Sequence, residues 1–139
     1  MRKLIFLPAA IVLCVAVAQA KPKPSMTAPA KAKIGATIHV SAKNLKPQRY
    51  AVRLFTHQAP SDDRQCVAWL AKQTKRTVTH LSVDVRIPRK LSCFTGFPAT
   101  ADGTMATTPG TYSVIVSVPT AINTTAAAGN VVIKQIKLR

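Results

Sequence analysis

The chain has 139 residues, with 20 lysines and arginines against 4 acidic residues and a formal net charge of +16. Its length suits one domain with a real core. All four acidic residues are Asp, which leaves little for the paired-carboxylate chemistry of glycoside hydrolysis, and the positive excess selects for anionic partners.

Arg2 and Lys3 give a positive start, Leu4 to Ala18 are almost unbroken apolar residues, and Ala18-Gln19-Ala20 has the small-x-small pattern that signal peptidase reads. Residues 1–20 are therefore expected to be a helical signal peptide. The mature chain would start at Lys21 and be secreted, periplasmic or extracellular. An apolar run of about fifteen residues falls short of the roughly twenty that span a bilayer, so no transmembrane segment is expected after cleavage. Leu13, before Cys14, is not the small residue that a lipoprotein cysteine needs. Cleavage leaves eighteen basic residues against four Asp, a charge of +14. It also leaves Cys66 and Cys93 as the only cysteines, and export favours a disulfide between them. Closing that loop of about 28 residues stabilises the fold by about 3–4 kcal/mol in the chain-entropy model.

Residues 21–29, opening Lys21-Pro22-Lys23-Pro24-Ser25, read as a basic, Pro-rich lead-in that stays extended and solvated. From 30 to 139 the period is two. Ile38, Val40 and Ala42 alternate with His39, Ser41 and Lys43, a half-buried strand. Asn44 to Pro47 form a turn. Tyr50, Val52 and Leu54 then share one face, with Arg49, Arg53 and His57 on the other and Phe55 as an exception there. Residues 66–72 fit a short helical turn or an irregular strand, with a loop holding a helical turn preferred, and Trp69 there is a packing lid over the disulfide. Over 77–87, Leu81, Val83, Val85 and Ile87 face in while His80, Ser82, Asp84 and Arg86 face out. A short strand over 91–97 holds Cys93. Residues 99–109 are small, polar and turn-forming. Pro109-Gly110 launches the clearest strand, with Tyr112, Val114, Val116 and Val118 on one face. Residues 120–130 form a long loop. The last strand, 131–138, slips phase between Val131/Ile133 and Ile136/Leu138, which predicts a bulge.

Six or seven strands with no long helical pattern indicate an all-β antiparallel sandwich of about seven strands. Three landmarks stand together: Gly35-Ala36-Thr37-Ile38-His39-Val40-Ser41 with Asn44-Leu45-x-Pro47, then Tyr50-Ala51-Val52-Arg53-Leu54, then Pro109-Gly110-Thr111-Tyr112-Ser113-Val114. In these the chain resembles the immunoglobulin-like domains of secreted bacterial proteins over residues 28–139. The resemblance implies an immunoglobulin-like sandwich and makes Tyr112 a corner tyrosine whose hydroxyl bonds backbone. The cysteines depart from the antibody pattern: Trp69 follows Cys66 by three residues and Cys93 comes too early. The disulfide therefore ties a mid-chain excursion to a neighbouring strand.

No G-x-S-x-G, H-E-x-x-H or P-loop motif is present, so no enzyme is expected and no cofactor is implied. Asp62 and Asp63 are adjacent in a turn, and Asp102 precedes Gly103, a usual turn pair. The three histidines, His39, His57 and His80, fall on polar strand faces. They would make a copper or zinc site, with Asp84 nearby, only if their strands were neighbours. The remaining feature is the cations: Arg49/Arg53, Arg86 with Arg89-Lys90, Lys134/Lys137, and the Lys72-x-x-Lys75-Arg76 loop. If their strands are adjacent they form a basic stripe that holds an anionic envelope polymer or acidic surface and releases it in salt. Few aromatics are free to stack bases and no recognition module fits, so specific nucleic-acid binding is not expected. The expected role is an exported, non-enzymatic binding or structural module of the cell envelope. The alternatives are a domain that binds a protein partner, as an inhibitor or adhesin does, through loops 59–76, 91–109 and 120–130, or a histidine-based metal binder.

Overall fold

A computed structural model describes residues 22–56, 64–96, 100–118 and 131–139. The described residues are all β, with no helix: β1 Ser25–Thr27, β2 Lys31–Ala32, β3 Thr37–Lys43, β4 Ala51–Thr56, β5 Arg64–Ala71, β6 Leu81–Arg86, β7 Lys90–Thr95, β8 Thr100–Ala106, β9 Gly110–Ser117 and β10 Val131–Leu138. They form a three-stranded sheet, β1-β3-β6, and a seven-stranded sheet, β2-β10-β9-β4-β5-β7-β8. The β2–β10 pair is parallel and the others are antiparallel. The ten strands exceed the expected seven because β1 and β2 are very short and β8 carries almost no hydrophobic signal.

Alternation places one side of each strand in a shared core. Ile38, Val40, Ala42 and Val85 of the small sheet pack with Val52, Leu54, Val114, Val116, Ile136 and Leu138 of the large one. Each buried Val, Leu or Ile among them contributes roughly 1.5–3 kcal/mol through removal from water, which holds the two sheets in a sandwich-like arrangement. Both tyrosines anchor this core to the chain that precedes them. Tyr112 donates to Thr108 O at 2.8 Å and accepts from Thr108 N at 3.1 Å. Tyr50 donates to Lys46 O at 2.7 Å. The corner role expected of Tyr112 is thus met, and Tyr50 repeats it at the same four-residue offset.

Several local expectations change. Residues 66–72 are not a helical turn but the body of β5, whose two neighbours, β4 and β7, supply a ladder on both sides. A register shift opposite Val52/Arg53 accounts for its irregular pattern. Residues 99–109 are not mainly turn: β8 pairs with β7, and Gly103 lies at φ 79° beside a register shift. Most β8 side chains are exposed, so a two-residue period had nothing to mark. Within the 21–29 lead-in, Ser25–Thr27 pairs with β3, and Met26 and Ala28 join the core. The bulge expected in the last strand is absent, since β10 runs in unbroken register along β9. The expected signal peptide, the loop 120–130, His57, Asp62 and Asp63 lie outside the described residues.

Cys66 and Cys93 face each other across β5 and β7 and form the expected disulfide, with Cα atoms 4.0 Å apart. It is a cross-strand staple rather than a link between the two sheets. Alongside it, Asp102 accepts from Thr95 Oγ1 at 2.8 Å and lies 2.9 Å from Arg64 Nε. Asp102 therefore fixes β8 to β7 and β5 instead of serving a turn.

Candidate functional site

The side of the large sheet turned away from the core carries a largely apolar row. Register places Trp69 of β5, Arg53 of β4, Ile115 of β9 and Ile133 of β10 in one row across four strands. At strand spacing that row is about 14 Å wide. Trp69 and Ile133 stand 51% and 53% exposed, while Arg53 between them is only 3% exposed. Phe55 and Val67 form the next row.

Arg53 is flanked by two aromatic rings. Its guanidinium carbon lies 5.4 Å from the centroid of Phe55 and 5.2 Å from that of Trp69, inside cation–π range of both. Nη2 donates to Ser117 Oγ at 2.8 Å. Nε, also buried, has no hydrogen-bond partner among the described residues. Burial lowers the Arg53 pKa, because a charge held out of water is disfavoured. The arrangement is a desolvated cation under an aromatic rim, on a sheet face that the other sheet does not cover.

This corrects two expectations. Trp69 is no lid over the disulfide: Cys66 faces the core, and a residue three positions on in a strand faces the opposite side. Nor is Arg53 part of a solvated stripe. The other cations are not a stripe either, but fall into separate groups. Arg49 Nε donates to Thr74 O at 2.8 Å, and Thr74 in turn bonds Tyr50 and Arg76, so Arg49, Lys72, Lys75 and Arg76 gather around one pinned loop. Arg86 Nε donates to Gly35 O at 3.0 Å. Arg89 packs on Gly35 itself, whose φ is 86° and where a Cβ would lie 3.4 Å from the guanidinium. Lys137 pairs with Lys31, whereas Lys134 points to the other side of β10 and Lys90 opens β7.

The small sheet's outer face is different. Asp84 lies opposite His39 in mid-strand and Ser82 opposite Ser41. His39 Nδ1 is 2.7 Å from Asp84 Oδ1 and His39 Nε2 is 3.0 Å from Ser82 Oγ. His39 and His80 line the same open groove of about 580 Å³. Among the described residues no three His, Cys, Asp or Glu side chains come together as metal ligands; His57, the third member of the conditional histidine site, lies outside them. Also among the described residues, no helix is long and apolar enough to cross a membrane.

Two traces of this face were legible in the sequence, Phe55 on the polar side of β4 and the phase slip that turns Ile133 outward in β10; their meeting with Trp69 came from strand order.

No family model matches this chain, and no curated protein matches it. Among solved structures it is similar to macromomycin, with 18% identity and a TM-score of 0.56, over 84% of this chain and 99% of that one. It also matches a superoxide reductase (neelaredoxin) from Ignicoccus hospitalis, with 11% identity and a TM-score of 0.41, over 85% of this chain and 81% of that one. The likeness to macromomycin extends over nearly all of that chain and is one of fold: an all-β body of two sheets.

Proposed function

We propose that the protein is an exported immunoglobulin-like domain that binds a flat, acidic, ring-containing small molecule on the outer face of its large sheet. The observation that carries this reading is Arg53, buried between Phe55 and Trp69 in a row whose outer members stand half in water. A buried arginine without full hydrogen bonding costs stability, and half-exposed Trp and Ile leave apolar area in water. A planar ligand would remove both costs by covering the indole and Ile133 and bringing negative charge towards the guanidinium. The corner bond of Tyr112 supports the immunoglobulin-like assignment. The disulfide and the apolar N-terminal run support export.

A test uses the sole Trp as its reporter. We expect 1-anilinonaphthalene-8-sulfonate, a planar aromatic anion, to bind the native protein at one site with energy transfer from Trp69. Affinity should fall at least tenfold in Trp69→Ala and in Arg53→Leu. Dye binding that is absent, or unchanged by both substitutions, overturns the proposal.

A second reading rests on the loop pinned by Thr74. Arg49 is tied to that loop, which carries Lys72, Lys75 and Arg76, and these four cations suit an anionic envelope polymer. Such binding would be lost by about half-molar salt, through counterion release, whereas stacking on Trp69 would persist.

A further inference from the structure

On the opposite side of the molecule, we propose that Ser82, His39 and Asp84 form a nucleophilic relay able to hydrolyse small carboxylic esters. Ser82 and Asp84 are two residues apart on β6, so both project from the same face. His39 reaches them from β3, directly across from Asp84. The order of contacts is that of a serine nucleophile with its base and orienter. Asp84 Oδ1 lies 2.7 Å from Nδ1, and Ser82 Oγ lies 3.0 Å from Nε2. With Asp84 ionised, Nδ1 carries the proton and donates it, which leaves Nε2 as the acceptor for the Ser82 hydroxyl. Ser82 bonds this ring diagonally, although Ser41 is its direct cross-strand partner.

The relay opens on a groove rather than a bare sheet. His39 and Ser82 line the cavity of about 580 Å³ together with Ser41, Lys43, Asn44 and His80. That volume fits a small ester, and Lys43, which lines the same groove, is the cation available to a developing oxyanion. In the first step Ser82 Oγ bonds to the acyl carbon while its proton passes to His39 Nε2. The bond to the leaving alcohol then breaks, and the alcohol oxygen takes that proton. Water repeats the sequence on the acyl-serine, giving up one proton through His39, releasing the acid and restoring the hydroxyl. Asp84 is a positioning residue, since its bond to His39 lets it act through the ring and not on the reacting atoms. The site lies on the other sheet from Arg53 and Trp69, so either proposal can fail without the other.

The test is covalent labelling and turnover of the full folded protein. A fluorophosphonate should label Ser82, found by mass in the tryptic peptide Thr77–Arg86, where it is the only serine. Labelling should vanish on unfolding and in His39→Gln. Hydrolysis of p-nitrophenyl acetate should fall at least tenfold in Ser82→Ala. In Asp84→Asn it should fall at least threefold with an altered pH–rate profile. Ser82→Cys should remain acylated by the same ester, which keeps the test open should Ser82→Ala fold poorly. Exposed imidazole alone cleaves such activated esters, so equal rates in wild type and Ser82→Ala overturn the relay, as does labelling no greater than that of the unfolded chain.

Discussion

On the outer face of the seven-stranded sheet a cation is buried while apolar groups stand in water. On the outer face of the three-stranded sheet the polar groups bond one another and stay exposed. Arg53 is desolvated, with Nε unpaired among the described residues, and Trp69 beside it and Ile133 two strands away are half in solvent. His39 and Asp84 are 58% and 71% exposed in their side chains and are joined at 2.7 Å. The first arrangement loses stability that a ligand could restore. The second costs almost nothing, so its geometry is informative only through its chemistry. Both faces lie on the same core, and the difference between them is where each sheet spends its outward residues.

The largest expected effect concerns the far end of the large sheet. Reducing Cys66–Cys93 should lower stability by about 3–4 kcal/mol, read from urea unfolding with and without reductant. Because the staple joins β5 to β7, hydrogen exchange should rise first in β7 and β8, with β3 and β6 protected longest. Uniform loss across both sheets would show that the sheets do not behave as distinct units.

Next come the tyrosine anchors. Tyr112→Phe removes a hydroxyl that both accepts from and donates to Thr108, and should cost about 1–3 kcal/mol. Tyr50→Phe tests the same device and adds a pH signature. Burial raises the Tyr50 phenol above its ordinary 10.0. The unfolded chain therefore ionises first, and stability is whole below pH 10 and falls as pH rises towards the folded value. That alkaline loss should shrink in Tyr50→Phe, as followed by thermal melts at pH 9 and pH 11.

Arg53→Leu sharpens the contrast itself. Replacing a desolvated cation with an apolar side chain should change stability by no more than about 1 kcal/mol, in either direction, while dye binding collapses. A loss of several kcal/mol would mean that Arg53 serves the fold. The smallest effect belongs to the other face: Asp84→Asn should cost less than about 1 kcal/mol, since exposed pairs contribute little. Equilibrium unfolding of that variant gives the comparison.

The amino-acid sequence determined the strands with strict alternation, because Ile38/Val40/Ala42 and Tyr112/Val114/Val116 have one face in the core and one outside it. It determined the disulfide, because only two cysteines follow the apolar N-terminal run, and the corner role of Tyr112. It left β5 and β8 illegible: a ladder with two neighbours can impose a strand on irregular residues, and an exposed edge strand needs no hydrophobic period. Tertiary structure alone decided the two sites. Strand order set Trp69 beside Arg53 and Asp84 opposite His39, and pairing between strands distant in the chain is a long-range choice that no local period encodes.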